Sequence, residues 1–431
     1  MRSLDPTDAA LTGLGWATAL GVGENATWLS LRTGLRGVRR VEVPAGVDPA
    51  LGLLAPVDKP WLRAPVPAEQ ESQAKFLNTS GELAATVVHE ALAAARTGAQ
   101  DLPEPARGLF IAQNDYSRVA CHDFRGAVVD ATQGLTAPLD GEVLNKASLH
   151  KVNPFVLLET LNNNAFSFIT ASFGLKGSNA TLSGMEGTGL AAFGLAARAV
   201  RTSRVRLAVA CGVGSLTSPV MRHELCRLGV LSRGQPGDTP RPFDAAREGM
   251  VPADGGAAAV LQPLEAARRH GQGPWAVVVG TAGATGAPLP GGLCAQPATL
   301  LAAAREALRD AGMRVSELGA VMAPGSGRRV EDGALLAALD ELLEGSPLPI
   351  VSACGALGHA AAGSDAGHVA LAALALREGS VPATTGFAQP EPGRTRLGVT
   401  RSSVPLVAPA VLVLASGWDG QAHALVLARA R

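Results

Sequence analysis

The stretch LSGMEGTGLAAFG, Leu182 to Gly194, sets an acidic residue, Glu186, in a Gly/Ser/Thr-rich turn that runs into a charge-free helical segment. Such an elbow can place one reactive side chain at the start of a buried helix, where unpaired N–H groups favour negative charge. A carboxylate there could act as a general base or assist a decarboxylation. It could also be a favourable charge on the helix dipole, and this structural or plugging role is the one expected. A second candidate stretch is VSACGALGHAAAGSDAGH, Val351 to His368, which offers His359 and Cys354. In a Gly/Ala-rich loop, and without the partners that a catalytic histidine needs, His359 reads as a satisfied core histidine rather than a catalyst. Cys354 and Cys211 are the candidate thiol nucleophiles; neither precedes a buried helix as the elbow residue does, which weighs against both. Asp254, in ADGG, reads as a turn or packing residue.

Other chemistries find little support. The five cysteines (Cys121, Cys211, Cys226, Cys294, Cys354) are scattered without metal-ligand spacing and fit reduced cytoplasmic thiols. No metal and no cofactor are expected. GSGRR at 325–329 lacks the lysine of a phosphate loop, and no dinucleotide-binding context occurs. With 37 basic and 37 acidic residues, the chain has no net field to attract nucleic acid or an anionic membrane. The N-terminal stretch does not read as a signal peptide, and the charge-free run Ser402 to Trp418 contains prolines and is shorter than the ~20 apolar residues of a membrane span.

The elements that must hold these residues are short apolar strands at Gly108–Ala112, Val205–Cys211, Ala276–Gly280, Ala408–Ala415 and His423–Ala428. Their near-continuous apolar runs predict sheets covered on both faces. Amphipathic helices are predicted after Thr79, with Glu82 completing a capping box, from Pro297 to Ala311, and from Glu331 to Leu343. Gly187–Ala197 and Val369–Leu376 carry no charge on any face, so both helices should be buried. Each follows a glycine-rich loop, and they lie nearly half a chain apart. This predicts a duplicated α/β unit with one central helix per half. The Pro/Gly-rich stretches 43–67, 232–242 and 286–297 read as surface loops.

RPFDAAREGMVPADGGAAAVLQPLEAARRHG, Arg241 to Gly271, resembles a diagnostic region of the β-ketoacyl-ACP synthases. LTGLGWATALG near the start, VNPFVLLETLNNNAFSFITASFGLKGSNATLSG before the elbow, the His359 loop and LASGWDGQAHALVLAR at the end resemble further family segments, in family order. The resemblance covers essentially the whole chain. It implies an α/β, thiolase-like fold with duplicated halves (1–260 and 261–431), five-layered αβαβα packing and an obligate dimer. The segment Asn162 to Ser178 and the residues just before it, with Phe155, Leu157, Leu158, Phe166, Phe168 and Phe173, are the expected interface source.

The same resemblance implies a degenerate site. Where the family has its nucleophilic cysteine, this chain has Glu186; where it has its first histidine, Pro324; where it has a lysine, Cys354. Only His359 remains. A carboxylate is a poor acyl acceptor, and proline has no side-chain donor for an enolate. This profile is similar to the chain-length factors of type II polyketide synthases, which pair with an active ketosynthase, meet acyl carrier protein and limit polyketide or polyene chain length. Met185, and Trp418 in place of the usual gate phenylalanine, are the pocket or gate candidates. The alternative is a malonyl-ACP decarboxylase or starter-unit enzyme, against which Pro324 argues.

Overall fold

The computed structural model describes residues 3–58, 64–95, 101–114, 121–156, 160–235, 237–269 and 273–430. Five strands come from the first part of the chain: β1 (Ala9–Thr18), β2 (Arg107–Asn114), β3 (Ala180–Ser183), β4 (Leu207–Ser215) and β5 (Asp254–Pro263). They lie in the order β3-β2-β4-β5-β1. Pairing is parallel for β3, β2 and β4 and antiparallel for β4, β5 and β1. Five more strands follow: β6 (Ala276–Thr285), β7 (Ala320–Met322), β8 (Pro349–Val351), β9 (Ala410–Ser416) and β10 (Gln421–Ala428). Their order, β8-β7-β9-β10-β6, and their senses repeat the first set strand for strand. The two sets join where Ala9, Ala10 and Leu11 of β1 pair with Val278, Val277 and Ala276 of β6. The duplication inferred from two charge-free segments is thus a repeated topology.

Alternation along the strands sorts their side chains between layers. Leu109 and Ile111 of β2 face an outer layer, whereas Phe110 and Ala112 face the centre. The first outer layer holds α1 (Thr79–Ala95) and α2 (Asn162–Phe173). The other outer layer holds α4 (Pro297–Asp310) and α5 (Arg329–Leu343), and between the sheets lie α3 (Thr188–Arg201) and α6 (Ala362–Glu378). Five layers, αβαβα, result. Every residue of α6 from Ala362 to Leu376 is buried, which is why its sequence shows almost no charge. α4 begins with Pro297 in its first turn, and Gly312, at φ +60°, lies just past its end, as the sequence pattern predicts. α3 and α6 can touch because Gly189 has no Cβ: one built there would lie 2.2 Å from the Ala362 carbonyl oxygen.

Several expectations need correction. The helix predicted after Thr79 is capped by Asn78, whose side-chain oxygen accepts from the Gly81 N–H at 2.9 Å. Asp254 opens strand β5 rather than a turn, and accepts hydrogen bonds from the Ser215 and Thr217 hydroxyls. The stretch 43–67 is not all surface loop: Leu51, Leu53, Ala55 and Val57 are buried. Phe168 is fully buried core, whereas Phe155 is about half exposed at 51%. Leu157 and Leu158 lie outside the described residues.

Candidate active site

Glu186 sits in the turn between β3 and α3, and Gly187, at φ +82°, is the N-cap of α3. That left-handed conformation is open to glycine at little cost and turns the chain sharply into the helix. The Glu186 carboxylate is buried. Its Oε1 accepts from the Arg328 guanidinium at 2.8 Å, from the Trp418 indole N–H at 2.7 Å and meets His359 Nε2 at 2.7 Å. Oε2 takes a second contact from the same Arg328 nitrogen at 2.8 Å. Burial alone would raise its pKa; the charges of Arg328 and His359, with hydrogen bonds from His359 and Trp418, outweigh it and hold Glu186 ionised. Conversely, burial would discharge His359, but the Glu186 charge and the Cys354 contact keep it cationic well above the ordinary histidine range. The elbow carboxylate is therefore fully engaged.

Arg328 is the functional residue that the sequence reading missed. It lies at the end of the loop between β7 and α5, with 4% of its side chain exposed. Its Nε donates to Ser326 Oγ at 3.0 Å, and Glu331 lies 3.7 Å from its Nη1. The Asp332 carboxylate folds the loop by accepting from the N–H groups of Ser326, Gly327 and Phe243. Pro324, also buried, supplies no polar side chain; four residues later Arg328 delivers a permanent cation instead. A signal existed: arginine and acids (Arg328, Glu331, Asp332) beside an apolar helix must be paired when buried. Asp365 gives the same signal as the one acid in a charge-free run. It is buried in the first turn of α6, accepts from the Gly189 N–H at 3.2 Å, and its pKa is raised well above the usual range by burial and by the nearby Glu186 charge.

Cys354 is closer to this cluster than expected. It begins a short helix, Cys354–Leu357, and its Sγ lies 3.6 Å from His359 Nδ1. Cys211 lies inside β4, where burial pushes its thiol pKa up. His368 accepts the Ala353 N–H at Nε2 and meets the Ser364 carbonyl at Nδ1; burial lowers its pKa to about 4. Trp418 closes the cluster from the C-terminal loop, with Arg328 5.5 Å above its ring. Met185 is half-buried in an apolar group with Leu51, Leu216, Met221, Met250 and Trp418. The structure thus gathers Arg328, His359 and Trp418 around Glu186, with Cys354 against the other nitrogen of the His359 ring.

This chain belongs to the β-ketoacyl synthase family. The model of the β-ketoacyl synthase N-terminal domain matches residues 7–267, and that of the C-terminal domain matches residues 275–388. A putative polyketide β-ketoacyl synthase 1 of Streptomyces virginiae is 30% identical over 326 residues, 71% of this chain and 75% of that protein. A phenolphthiocerol/phthiocerol polyketide synthase of Mycobacterium bovis is 32% identical over 223 residues, 51% of this chain. The chain spans only 12% of the length of that relative. A β-ketoacyl synthase from Burkholderia phymatum superposes with a TM-score of 0.83 over 98% of this chain and 100% of that one, at 21% identity. The ishigamide ketosynthase/chain length factor superposes with a TM-score of 0.80 over 98% and 99% of the two chains, also at 21% identity. The fold is the thiolase-like ketosynthase fold. Among the described residues, no helix is long and apolar enough to cross a membrane.

Proposed function

We propose that this chain is a non-condensing, chain-length-factor-like subunit that pairs with an active ketosynthase and shapes the acyl pocket at their interface. The observation that carries this reading is the elbow carboxylate, ion-paired in a buried site with Arg328 and His359. An acyl thioester would have to displace two cations and an indole N–H from Glu186, and would gain only a labile anhydride. A decarboxylating role for Glu186 is disfavoured by the same bonds, because a base already paired with a guanidinium is a weak one.

Two features support a partner. β3 is the last strand of its sheet, and such edges are usually covered or paired. Phe155, Leu149 and Leu161 are also exposed in the chain segment leading to it. Exposed apolar side chains and an open sheet edge suit an obligate interface, which typically buries about 2,000 Å² or more. Acyl carrier protein, delivering to the partner's thiol, is the remaining interaction of this reading.

Co-expression with active type II ketosynthases, followed by size exclusion and mass spectrometry, tests the proposal. The expected result is a stable one-to-one complex. A soluble, monodisperse homodimer that ignores the ketosynthase overturns it.

A further inference from the structure

Cys354, His359 and Glu186 form a continuous line of contacts that the partner role does not use. Cys354 Sγ is 3.6 Å from His359 Nδ1, and His359 Nε2 is 2.7 Å from Glu186 Oε1. A thiol, an imidazole and an orienting carboxylate in this sequence are the parts of an activated cysteine: the carboxylate fixes the ring and sustains its charge, and the imidazolium favours thiolate. Ser364 also borders the sulfur: its oxygen accepts the Ala360 N–H at 2.8 Å and the Cys354 S–H at 3.9 Å.

The space beside the thiol decides what can react. Cys354 lines a cavity of about 20 Å³ together with Trp16, Asp254, Leu357, Ser364 and His368. One water needs roughly 10–15 Å³ by this measure. An acyl thioester is excluded by size, whereas a molecule little larger than water fits. Leu357, only half-buried, is where this lining meets the surface.

We propose that Cys354 is a peroxide-reactive thiol, activated by His359 and Glu186, and that hydrogen peroxide entering this cavity converts it to a sulfenic acid. The Cys354 thiolate attacks one peroxide oxygen and the O–O bond breaks. The departing hydroxide takes the proton from the His359 Nδ1 and leaves as water. The thiol releases its own proton to solvent when the thiolate forms, and an equivalent proton from solvent restores the His359 imidazolium, so that thiol and peroxide give sulfenic acid and water; sulfur is oxidised by two electrons and peroxide is reduced by two. Among the described residues, the other buried thiols, Cys211 and Cys294, lack this arrangement. Burial alone acts on Cys211 and raises its pKa, and burial with the Glu331 charge pushes Cys294 up to about 12.

The test treats the folded full-length chain with hydrogen peroxide, unfolds timed samples in denaturant containing dimedone, and measures labelling of each cysteine peptide by mass spectrometry. Cys354 should be labelled at least about tenfold faster than Cys211 or Cys294, or should carry the two added oxygens of the next oxidation step. His359→Gln should slow Cys354 labelling by about tenfold or more while the half-buried Cys226 reacts at its original rate. If His359→Gln does not fold, Glu186→Gln replaces it, because the ring then loses the charge that sustains it. Labelling of Cys354 no faster than that of Cys211, or labelling indifferent to both substitutions, overturns the inference. It stands apart from the pairing with a ketosynthase, so either can fail without the other.

Discussion

One terminal nitrogen of Arg328 lies 2.8 Å from both carboxylate oxygens of Glu186, in a site where each side chain is about 5% exposed or less. A pair so buried is costly to assemble and costlier to break. Arg328→Met should remove the cation and leave Glu186 with His359 and Trp418 alone. Breaking such a pair typically costs about 3–5 kcal/mol, readable as a lowered denaturant midpoint with unchanged slope. The double variant Glu186→Gln/Arg328→Met should recover part of that loss. A double variant no more stable than the single would show that the pair is not the source.

The pH dependence follows from the two coupled groups. Glu186 is held down from 4.5 to about 2 in the folded protein, so its contribution is present above 4.5 and is lost as pH falls through about 2. His359 is raised from 6.5 to about 10, so its contribution is full below 6.5 and is lost as pH rises through about 10. The cluster therefore stabilises most between these unfolded-state values. The difference in melting temperature between wild type and His359→Gln should be largest near the lower end of the histidine window and shrink steadily toward its upper end. A difference independent of pH would mean that His359 is neutral in the fold.

Much of this was legible in the sequence, for physical reasons that differ from residue to residue. Two segments without charge can only be buried, so the central helices α3 and α6 were readable, and with them the duplication. Glu186 and His359 were readable as site positions because their motifs surround them. Arg328 was not: it stands four residues past Pro324, and only the fold of the Ser326–Gly327 loop around Asp332 turns it into the site. The Cys354–His359 contact was missed for a related reason. A five-residue spacing says little until the short helix and the turn at Gly358, φ +71°, bring the two side chains together. Asn78 outcompeted Thr79 as a cap because an asparagine oxygen reaches the third helical N–H from just outside the helix.

The elbow itself should be chemically silent. The purified chain, incubated with acyl-ACP and malonyl-ACP, should form no 3-ketoacyl product and no acyl-protein by intact mass. Within a complex with an active ketosynthase, Glu186→Gln should leave the rate per folded complex nearly unchanged. Loss of a positioned acid or base would instead cost on the order of a hundredfold or more. Release of CO2 from malonyl-ACP by the wild type, absent in Glu186→Gln, would transfer the assignment to a decarboxylase.

The final prediction concerns length control. Met185 adjoins the elbow, and its Sδ lies 3.5 Å from the Asn114 side-chain nitrogen. It packs against the apolar group that includes Leu216, Met221 and Trp418. An unbranched thioether fills irregular space without fixing it, so this position can be enlarged or emptied with modest disturbance. Met185→Trp adds bulk beside the elbow at a folding cost of roughly 1–3 kcal/mol. If the group borders the growing chain in the complex, the product should shorten while acylation of the partner's cysteine proceeds at its original rate. Met185→Ala should move the distribution the opposite way. Trp418→Phe keeps the ring but removes the N–H that holds Glu186, so it should weaken the cluster with a smaller change in length. Chromatography and mass spectrometry of the released products, with partner acylation followed separately by intact mass, read all three. Product lengths that stay fixed across Met185→Trp and Met185→Ala would remove the length-setting role, even with the complex itself established.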